Sequence, residues 1–235
     1  MPSALSPRTQ YNLRTQARFP MPMSKIRIML VDDHAVVRVG FRMLLNATSD
    51  IEVVDEADSG EAAYQRYPEV RPDVVVMDLA MPGIGGIEAV RRLLSRDAGA
   101  RVLILSAHED TAHLKRVLKV GALGYLSKRS APEDLIGAVR AVAAGRIYLD
   151  ADLARKLAVQ DLGGGTPGPV EALSEREFTV FIQLARGQSV NQIAETLCLS
   201  PNTVGTHLYN IKQKLGAANQ AELALIAVRN GLIEA

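Results

Sequence analysis

The sequence predicts two domains of different class, an α/β domain with a doubly wound five-stranded parallel sheet followed by a smaller all-α domain. Three observations support this prediction. Between residues 26 and 145, short apolar runs alternate with segments of helical periodicity, as in a parallel sheet covered by helices. From residue 173 onward, amphipathic helical segments appear without any strand pattern. Between the two parts, DLGGGTPGPVEA (161–172) carries the glycines and prolines that interrupt regular structure.

The five predicted strands of the first domain are short and apolar. The third contains VVVM (74–77), which has no polar alternation and is therefore predicted to be buried on both faces. Ser59 is a candidate N-cap for the second helix, and Pro132 suits the first turn of the fifth. The predicted strands are 26–31, 51–57, 73–78, 101–105 and a short one within 121–128, and the helices are 34–48, 59–67, about 87–96, about 109–120 and 131–145.

The second domain is predicted to contain four helices, each of which begins near a Ser or Asn. Three of them end at a glycine, in agreement with the capping preferences of helices. These helices cover 174–187, 189–199, 200–216 and 219–231. The predicted organisation is a disordered tail (1–24), a first domain (25–146), a linker with a short helix and a Gly/Pro-rich joint (147–170), and a second domain (171–235).

Composition excludes several classes of protein. The chain has 235 residues and a formal net charge of +1, so any surface that binds nucleic acid must be local. The single cysteine, Cys198, excludes an internal disulfide, and no Cys/His cluster has the spacing of a zinc site. No apolar stretch reaches the roughly 18 residues of a membrane span. We expect a cytoplasmic protein whose first 24 residues are a disordered tail or precede a later start at Met21 or Met23.

Three acidic residues are predicted to meet at one edge of the sheet. The first strand ends in Asp32 and Asp33, and the third ends in Asp78. These strands are neighbours in a doubly wound sheet, and their carboxyl ends form the edge where such folds place their sites. Crowded carboxylates raise at least one pKa, and a hard divalent cation relieves the conflict. The sequence therefore predicts a Mg²⁺ site, although a lone Asp78 could also merely cap the following turn.

A hydroxyl and a lysine are predicted to join the acids at this edge. Ser106 ends the fourth strand, and Lys128 follows the fifth. Three acids, a hydroxyl and a lysine suit phosphoryl transfer to a carboxylate, with Asp78 attacking in line. The metal and Lys128 would neutralise phosphoryl oxygens while Ser106 donates a hydrogen bond.

Residues 25–146 resemble the receiver domain of bacterial two-component response regulators, which has a flavodoxin-like fold. The resemblance rests on LVDDH (30–34), VVVMDLAMPGIGG (74–86), LILSA (103–107) and GYLSK (124–128). It implies that Asp78 accepts phosphate from a histidine kinase. It further implies a Mg²⁺ site and a set of phosphoryl-sensing residues. The implied metal ligands are Asp32, Asp33, Asp78 and the backbone carbonyl of Ala80, and the implied sensing residues are Ser106, Lys128 and Tyr125.

Some features leave alternatives open. Tyr125 matches the family's aromatic switch position, but a tyrosine there could also simply pack on an edge strand. Arg129 follows Lys128 where many members have a proline after a cis bond, so the geometry of this bond stays open. The glycines of MPGIGG (81–86) fit no nucleotide-binding loop, which favours a tight turn. A haloacid-dehalogenase-type hydrolase is a weaker alternative, since it requires D-x-D after the first strand.

Residues 173–216 resemble the LuxR-type helix-turn-helix of the NarL/FixJ subfamily, and CLSPNTV and ELALIAVRNGL resemble GacA-like regulators. In the third helix of the second domain, Ser200 suits the N-cap and Pro201 the first helical position. An apolar stripe faces the core, and the opposite, polar face suits a DNA major groove. The stripe is Val204, Leu208, Ile211 and Leu215, and the predicted DNA-binding residues are Asn202, Thr203, Gly205, Thr206, Tyr209 and Lys212.

The charge of the second domain predicts modest affinity for DNA. Five basic residues face six glutamates within 171–235, so few DNA phosphates would be neutralised. A dimer that joins two half-sites would compensate for this. The last helix suits such an interface, but it could also pack only on its own domain. Its small apolar residues are Ala221, Leu223, Ala224, Leu225 and Ala227, and Cys198 is predicted to fill the core beside the second helix.

These observations predict a transcription factor that is activated by phosphorylation and is not an enzyme. Its predicted partners are a sensor histidine kinase, promoter DNA and, once phosphorylated, a second copy of the chain, with no membrane. We expect the unphosphorylated first domain to mask the DNA-binding half. The alternative is a regulator with the same fold whose binding to DNA does not depend on phosphorylation.

Overall fold

The first domain is built on one parallel sheet with the strand order β2-β1-β3-β4-β5-β6. The computed structural model describes residues 24–107, 111–162, 169–230 and 232–233, so nearly all of the predicted tail lies outside the described residues. Every neighbouring pair of strands is parallel. The strands are β1 (Ile26–Val31), β2 (Ile51–Ala57), β3 (Val74–Asp78), β4 (Val102–Ser106), β5 (Gly124–Ser127) and β6 (Tyr148–Leu149).

Helices lie between these strands and also form the second domain. Ser59 caps the second helix by accepting a hydrogen bond from the Ala62 N–H, and Pro132 occupies the first position of the fifth, as predicted. The helices are α1 (Ala35–Asn46), α2 (Gly60–Val70), α3 (Gly85–Arg96), α4 (Thr111–Lys119), α5 (Pro132–Ala143), α6 (Ala151–Leu162), α7 (Glu175–Ala185), α8 (Val190–Thr196), α9 (Pro201–Leu215) and α10 (Gln220–Arg229), with a 3₁₀ helix at Pro169–Ala172.

The sheet is covered on both faces, as the unbroken apolar run of β3 predicts. Val75 and Met77 belong to one core cluster, whereas Val74 and Val76 belong to the other. All residues of β3 are buried, including Asp78 at its end. The two cores fix the strand register, and this fixes which residues emerge at the carboxyl edge.

The linker contributes more structure than the sequence predicts. The two-residue strand β6 pairs with β5, so the sheet has six strands instead of five. Two residues are too few to show the periodicity of a strand, and β6 forms only because β5, more than 20 residues earlier in the chain, pairs with it. Helix α6 reaches Leu162, and the 3₁₀ helix starts at Pro169, so the prediction that all of 161–172 is irregular is wrong at both ends. Residues 163–168 of that joint lie outside the described residues.

The second domain has the four predicted helices around a separate core. Their N-caps are the predicted ones, since each cap side chain accepts a backbone N–H at the start of its helix. The apolar stripe of α9 faces inward, with Val204 and Ile211 fully buried. The caps are Ser174, Ser189, Ser200 and Asn219.

The prediction that Cys198 fills the core is wrong. Helix α8 ends at Thr196, and Cys198 follows it with a left-handed φ of 53°. Its side chain is exposed. The predicted helix (189–199) ends three residues later than α8, and the backbone of these three residues determines the direction of the thiol.

Candidate functional site

The predicted acids meet at the carboxyl edge of the sheet. Strands β1 and β3 are adjacent, so Asp32 and Asp33 after β1 lie beside Asp78 at the end of β3. A ligand atom from each of these acids and one from His34 all lie within 4.8 Å of one another. The three carboxylates were predicted from the sequence, whereas His34 was not among the predicted site residues. Its signal was its position directly after the two acids in LVDDH.

Lys128 lies between two buried carboxylates. Its Nζ is 2.6 Å from Asp32 Oδ2 and 2.8 Å from Asp78 Oδ2. The backbone N–H of Lys128 donates to the Ser106 carbonyl at 2.8 Å, which ties the start of the β5–α5 loop to the end of β4. No cis peptide bond occurs in the described parts of the chain, so the bond from Lys128 to Arg129 is trans. The structure therefore places Lys128 at the predicted edge and gives it direct carboxylate partners.

Burial governs the electrostatics of this pair. Asp78 is only 2% exposed. Burial raises the pKa of Asp78, and the Asp32 charge adds to this, while Lys128 acts in the opposite direction. Burial alone would lower the pKa of Lys128, but its hydrogen bonds to Asp32 and Asp78 outweigh burial and raise that pKa. A further cation beside Asp78 would act in the same direction as Lys128 and favour the carboxylate form.

The donor set fits a hard divalent cation. Three carboxylates converge, and the Oδ1 atom of Asp33 is buried without a hydrogen bond, although the His34 Nδ1 lies 2.9 Å away. Oxygen ligands of this kind, completed by water, are what Mg²⁺ prefers. The backbone N–H of Ala80 donates to Asp78 Oδ1 at 3.2 Å, which brings the Ala80 peptide close to the acids.

The loop after Asp78 is a tight turn that leads into α3. Gly83 and Gly85 have positive φ angles of 75° and 73°. A Cβ on Gly86 would lie 2.3 Å from the Asp78 carbonyl oxygen, so only glycine lets α3 start this close to β3. The predicted tight turn is present, and it holds the backbone around Asp78 in place.

Ser106 and Tyr125 are both fully buried. Asp78 is in register with Leu105, so Ser106 lies one residue further along the same edge. Tyr125 belongs to the core cluster that also contains Leu153 of α6. Because β6 pairs with β5, Tyr125 does not lie on an edge strand. Its ring points inward, and its role as a switch remains a prediction.

The predicted DNA-contact face of α9 is open to solvent. Tyr209 is 64% exposed, and Asn202, Thr203 and Thr206 are also exposed. A Cβ on Gly205 would meet no atom within 4 Å. Three of the polar side chains bind the protein itself, and one of them is Thr206, whose hydroxyl donates to the Asn202 carbonyl at 3.1 Å. The Thr203 hydroxyl lies 2.7 Å from the Ser200 hydroxyl, and Lys212 Nζ donates to the Ala218 carbonyl at 2.9 Å.

Helix α10 divides its apolar residues between two faces. Leu223 and Ala227 are fully buried in the core of their own domain. Leu225 is 48% exposed, Ala221 is exposed, and Ala224 is partly exposed. The helix therefore packs on its own domain and also presents a small apolar face outward.

The two domains meet where α4 and the loop after Asp78 contact α7 and the segment that precedes it. Arg116 of α4 is buried and donates to the carbonyls of Val170 and Leu173 at 2.7 and 2.9 Å. Arg176 of α7 donates to the Gly83 carbonyl in the loop after Asp78. A cleft of about 290 Å³ lies between this loop and helices α7 and α8. The first domain thus contacts the second close to the acidic site and leaves the α9 face exposed.

The chain is similar to known families in both domains. Residues 28–140 match the response regulator receiver domain, and residues 171–227 match the family described as bacterial regulatory proteins, luxR family. Among the described residues no helix has the length and apolar character needed to cross a membrane.

Relatives resemble the chain over most of its length. The response regulator UvrY of Escherichia coli K12 is 39% identical over 211 residues, which cover 89% of this chain and 97% of UvrY. The response regulator GacA of Pseudomonas viridiflava is 39% identical over 89% of this chain and 99% of its own length. The structure of RcsB from Salmonella enterica serovar Typhimurium, bound to a promoter in the presence of phosphomimetic BeF3⁻, has a TM-score of 0.63 and 27% identity, covering 89% of this chain and 98% of RcsB.

Proposed function

Because this chain belongs to the response regulators that join a receiver domain to a LuxR-type DNA-binding domain, we propose that Asp78 is the phosphoacceptor through which a sensor histidine kinase controls its binding to promoter DNA. One observation carries the assignment to Asp78. Its carboxylate is buried at the carboxyl edge of the sheet, with the Lys128 ammonium 2.8 Å away. In sequence, Asp78 directly precedes the loop whose Gly83 carbonyl accepts a hydrogen bond from Arg176 of the DNA-binding domain.

Phosphoryl transfer uses groups that the fold already holds in place. A carboxylate oxygen of Asp78 attacks the phosphorus of a phosphohistidine, so a P–O bond forms as the P–N bond breaks and the leaving imidazole takes a proton. Lys128 neutralises a phosphoryl oxygen, and the Ser106 hydroxyl donates a hydrogen bond to another. Asp32, Asp33, Asp78 and the Ala80 carbonyl would hold Mg²⁺, which supplies further charge neutralisation when bound.

The phosphoryl group would be sensed at Ser106 and Tyr125. Ser106 lies one residue beyond the partner of Asp78 on β4, close enough to the edge to respond to a new phosphoryl oxygen. Tyr125 lies on the neighbouring strand and in the core that α4 covers. Helix α4 carries Arg116, so a shift in this core would reach the contact with the second domain.

Binding to DNA would use the exposed face of α9 in a homodimer. The proposed contact set is Asn202, Thr203, Gly205, Thr206, Tyr209 and Lys212, and the Tyr209 side chain is 64% exposed. The five bases and six glutamates of 171–235 give the isolated domain little attraction for phosphates. Two linked domains would therefore bind far better than one. The outward face of α10, with Ala221 and Leu225, is the surface we assign to that dimer.

The restraint on the unphosphorylated chain would act on assembly more than on the DNA face itself. The α9 face is already exposed, so the receiver does not cover it. The contacts of Arg116 and Arg176 instead fix the orientation of the second domain. We infer that phosphorylation releases these contacts and frees the domain to pair with a second copy.

Asp78→Asn tests this function. The full-length protein is incubated with a small phosphodonor and Mg²⁺, and intact mass and oligomeric state are followed. We expect wild type and Asp58→Asn, a control at an exposed acid, to gain acid-labile phosphate and dimerise. Asp78→Asn should do neither, because an amide oxygen is a poor nucleophile toward phosphorus. Wild-type phosphate incorporation in Asp78→Asn would refute the assignment, and equal DNA affinity with and without phosphate would favour phosphorylation-independent binding.

A further inference from the structure

We propose that His34 is a nitrogen ligand of the acidic site and gives this chain a preference for first-row transition-metal dications, such as Mn²⁺ or Co²⁺, over Mg²⁺. The inference rests on the proposed function only in requiring a divalent cation at these acids. It starts from the histidine ring, which shares its immediate surroundings with all three carboxylates.

The His34 ring is directed at the acids and not at the helix that it precedes. His34 occupies the N-cap position of α1, but its side chain makes no capping hydrogen bond. Its Nδ1 instead lies 2.9 Å from Asp33 Oδ1 and 3.2 Å from Asp32 Oδ1. Ser, Thr, Asp and Asn are the residues that stabilise this position by capping. The His34 side chain therefore supplies none of the capping stabilisation that these residues would give to α1.

The oxygens near the ring are not the ones that Lys128 binds, and one of them, Asp32 Oδ1, accepts the backbone N–H of His34 at 2.8 Å. Lys128 Nζ binds Asp32 Oδ2 and Asp78 Oδ2. The Oδ1 atoms of Asp32 and Asp33 lie beside His34, and the Asp33 Oδ1 is buried without a hydrogen bond. An unbonded buried carboxylate oxygen beside an imidazole nitrogen is a mixed oxygen and nitrogen donor set, arranged within the reach of one ion.

The chemistry of the donor atoms determines which ion binds more tightly when His34 is present. Mg²⁺ prefers oxygen ligands and retains water, so a nearby imidazole adds little to its binding. Imidazole is a good ligand for transition metals, whose affinity for mixed nitrogen and oxygen sites rises from Mn²⁺ toward Co²⁺ and Ni²⁺. The His34 side chain is 63% exposed, so it has room to turn its nitrogen toward an ion held by the three acids.

The test uses the full-length chain and two variants, His34→Gln and His207→Gln. Glutamine keeps a polar side chain near the acids but removes the imidazole, and His207 lies on α9, away from the acids. Mn²⁺ is added at substoichiometric amounts, and pulsed electron paramagnetic resonance detects nitrogen bound directly to the ion. Affinities for Co²⁺ and Mg²⁺ are measured by calorimetry on the same proteins.

We expect a directly bound nitrogen in wild type and His207→Gln, and none in His34→Gln. Co²⁺ affinity should fall by about tenfold or more in His34→Gln, whereas Mg²⁺ affinity should change by less than about twofold. A structural effect of His34 would weaken both ions alike and leave no nitrogen signal to lose.

Three outcomes overturn the proposal. These are an absent nitrogen signal in wild type, a signal that persists in His34→Gln, and an equal loss of Mg²⁺ and Co²⁺ affinity. Each of them leaves Asp78 phosphorylation with Mg²⁺ intact, so the proposed function survives. If wild type binds no divalent ion at all, the proposed Mg²⁺ site fails together with this inference.

Discussion

The guanidinium of Arg116 lies 4.1 Å above the ring of Phe178, and this contact joins the receiver domain to the first helix of the DNA-binding domain. Arg116 is only 8% exposed and also donates to two carbonyls at the base of that helix. His113 meets the same ring edge-on, with ring centroids 4.8 Å apart. A desolvated cation–π contact is worth about 2 kcal/mol, so this single side chain is a large part of the restraint between the domains.

Arg116→Ala should therefore loosen the unphosphorylated chain. We expect a larger radius of gyration in small-angle scattering and about tenfold tighter binding to a selected operator without phosphate, equivalent to about 1.4 kcal/mol. Lys119→Ala, at an exposed position on the same helix, is the control and should change neither quantity. If Arg116→Ala leaves both unchanged, the contact does not restrain the DNA-binding domain.

Lys128→Met should destabilise the receiver domain. The substitution leaves Asp32 and Asp78 buried without their shared cation, and removing one partner of a buried ion pair costs about 3 kcal/mol. Added Mg²⁺ should recover part of the loss by binding only the folded state. Thermal melting with and without Mg²⁺ measures both effects. The Asp32→Ala, Asp33→Ala double variant should show no response to Mg²⁺, and a melting shift that persists there would place the ion elsewhere.

Gly86→Ala should disturb the tight turn that follows Asp78. The added Cβ would lie 2.3 Å from the Asp78 carbonyl oxygen and 2.7 Å from Leu79 Cα, both of them backbone atoms. We expect a loss of about 1–3 kcal/mol in urea unfolding and slower phosphate incorporation. Gly40→Ala is a matched control, because a Cβ there meets nothing within 4 Å. That variant should gain about 0.5–1 kcal/mol from its helical position. Equal stability of the two variants would contradict the close approach.

Substitutions on α9 should separate specific from nonspecific binding. Thr206→Ala and Tyr209→Ala should weaken binding to the operator but not to unrelated DNA, with losses of about 1–3 kcal/mol for a base contact. Lys212→Ala should weaken all sequences alike and reduce the salt slope by about one. The Lys212 ammonium also donates to the Ala218 carbonyl, so Lys212→Ala could affect stability. The melting temperature of this variant is therefore compared with that of wild type. DNA titrations at several salt concentrations distinguish contacts to bases from contacts to phosphates. If Tyr209→Ala lost the same affinity for the operator and for unrelated DNA, Tyr209 would not contact bases.

Glu88 should contribute stability that depends on pH. Hydrogen bonds from Arg91 and then Arg92 lower the pKa of Glu88 from 4.5 to about 2, although partial burial acts in the opposite direction. A lowered carboxyl pKa gives stability that is present above the unfolded pKa and is lost as the pH falls through the folded one. Arg91 and Arg92 are exposed, so solvent screens these pairs and we expect Glu88 to contribute only about 1 kcal/mol of stability at pH 7.

Glu88→Gln should remove this contribution. The free energy of unfolding is measured with urea from pH 7 to pH 3. The difference in this free energy between wild type and variant, the stability gap, should narrow below about pH 4.5. Glu69→Gln, at an exposed carboxylate on α2, should show a smaller gap throughout. A gap for Glu88→Gln that stays constant with pH would mean that packing, and not charge, accounts for it.

Local sequence patterns were sufficient to predict the two fold classes, most helix starts and the convergence of the three acids. Ser174, Ser189 and Ser200 cap their helices through hydrogen bonds to residues three positions away, so the local sequence specifies them. The acids converge because parallel strands share one carboxyl edge, and apolar runs such as VVVM determine which strands are central. Patterns of this kind depend on neighbours in sequence or on one simple rule of topology.

Tertiary structure alone decided the contacts between residues that are distant in sequence. The partners of Lys128, the pairing of Tyr148 with Gly124, and the burial of Arg116 against Phe178 all join segments whose meeting is set by how the cores pack. The orientation of single side chains belongs to the same class. Cys198 turned outward because α8 ends two residues before it, and His34 turned toward the acids. Side-chain direction and long-range packing depend on the whole fold, so local periodicity in the sequence does not predict them.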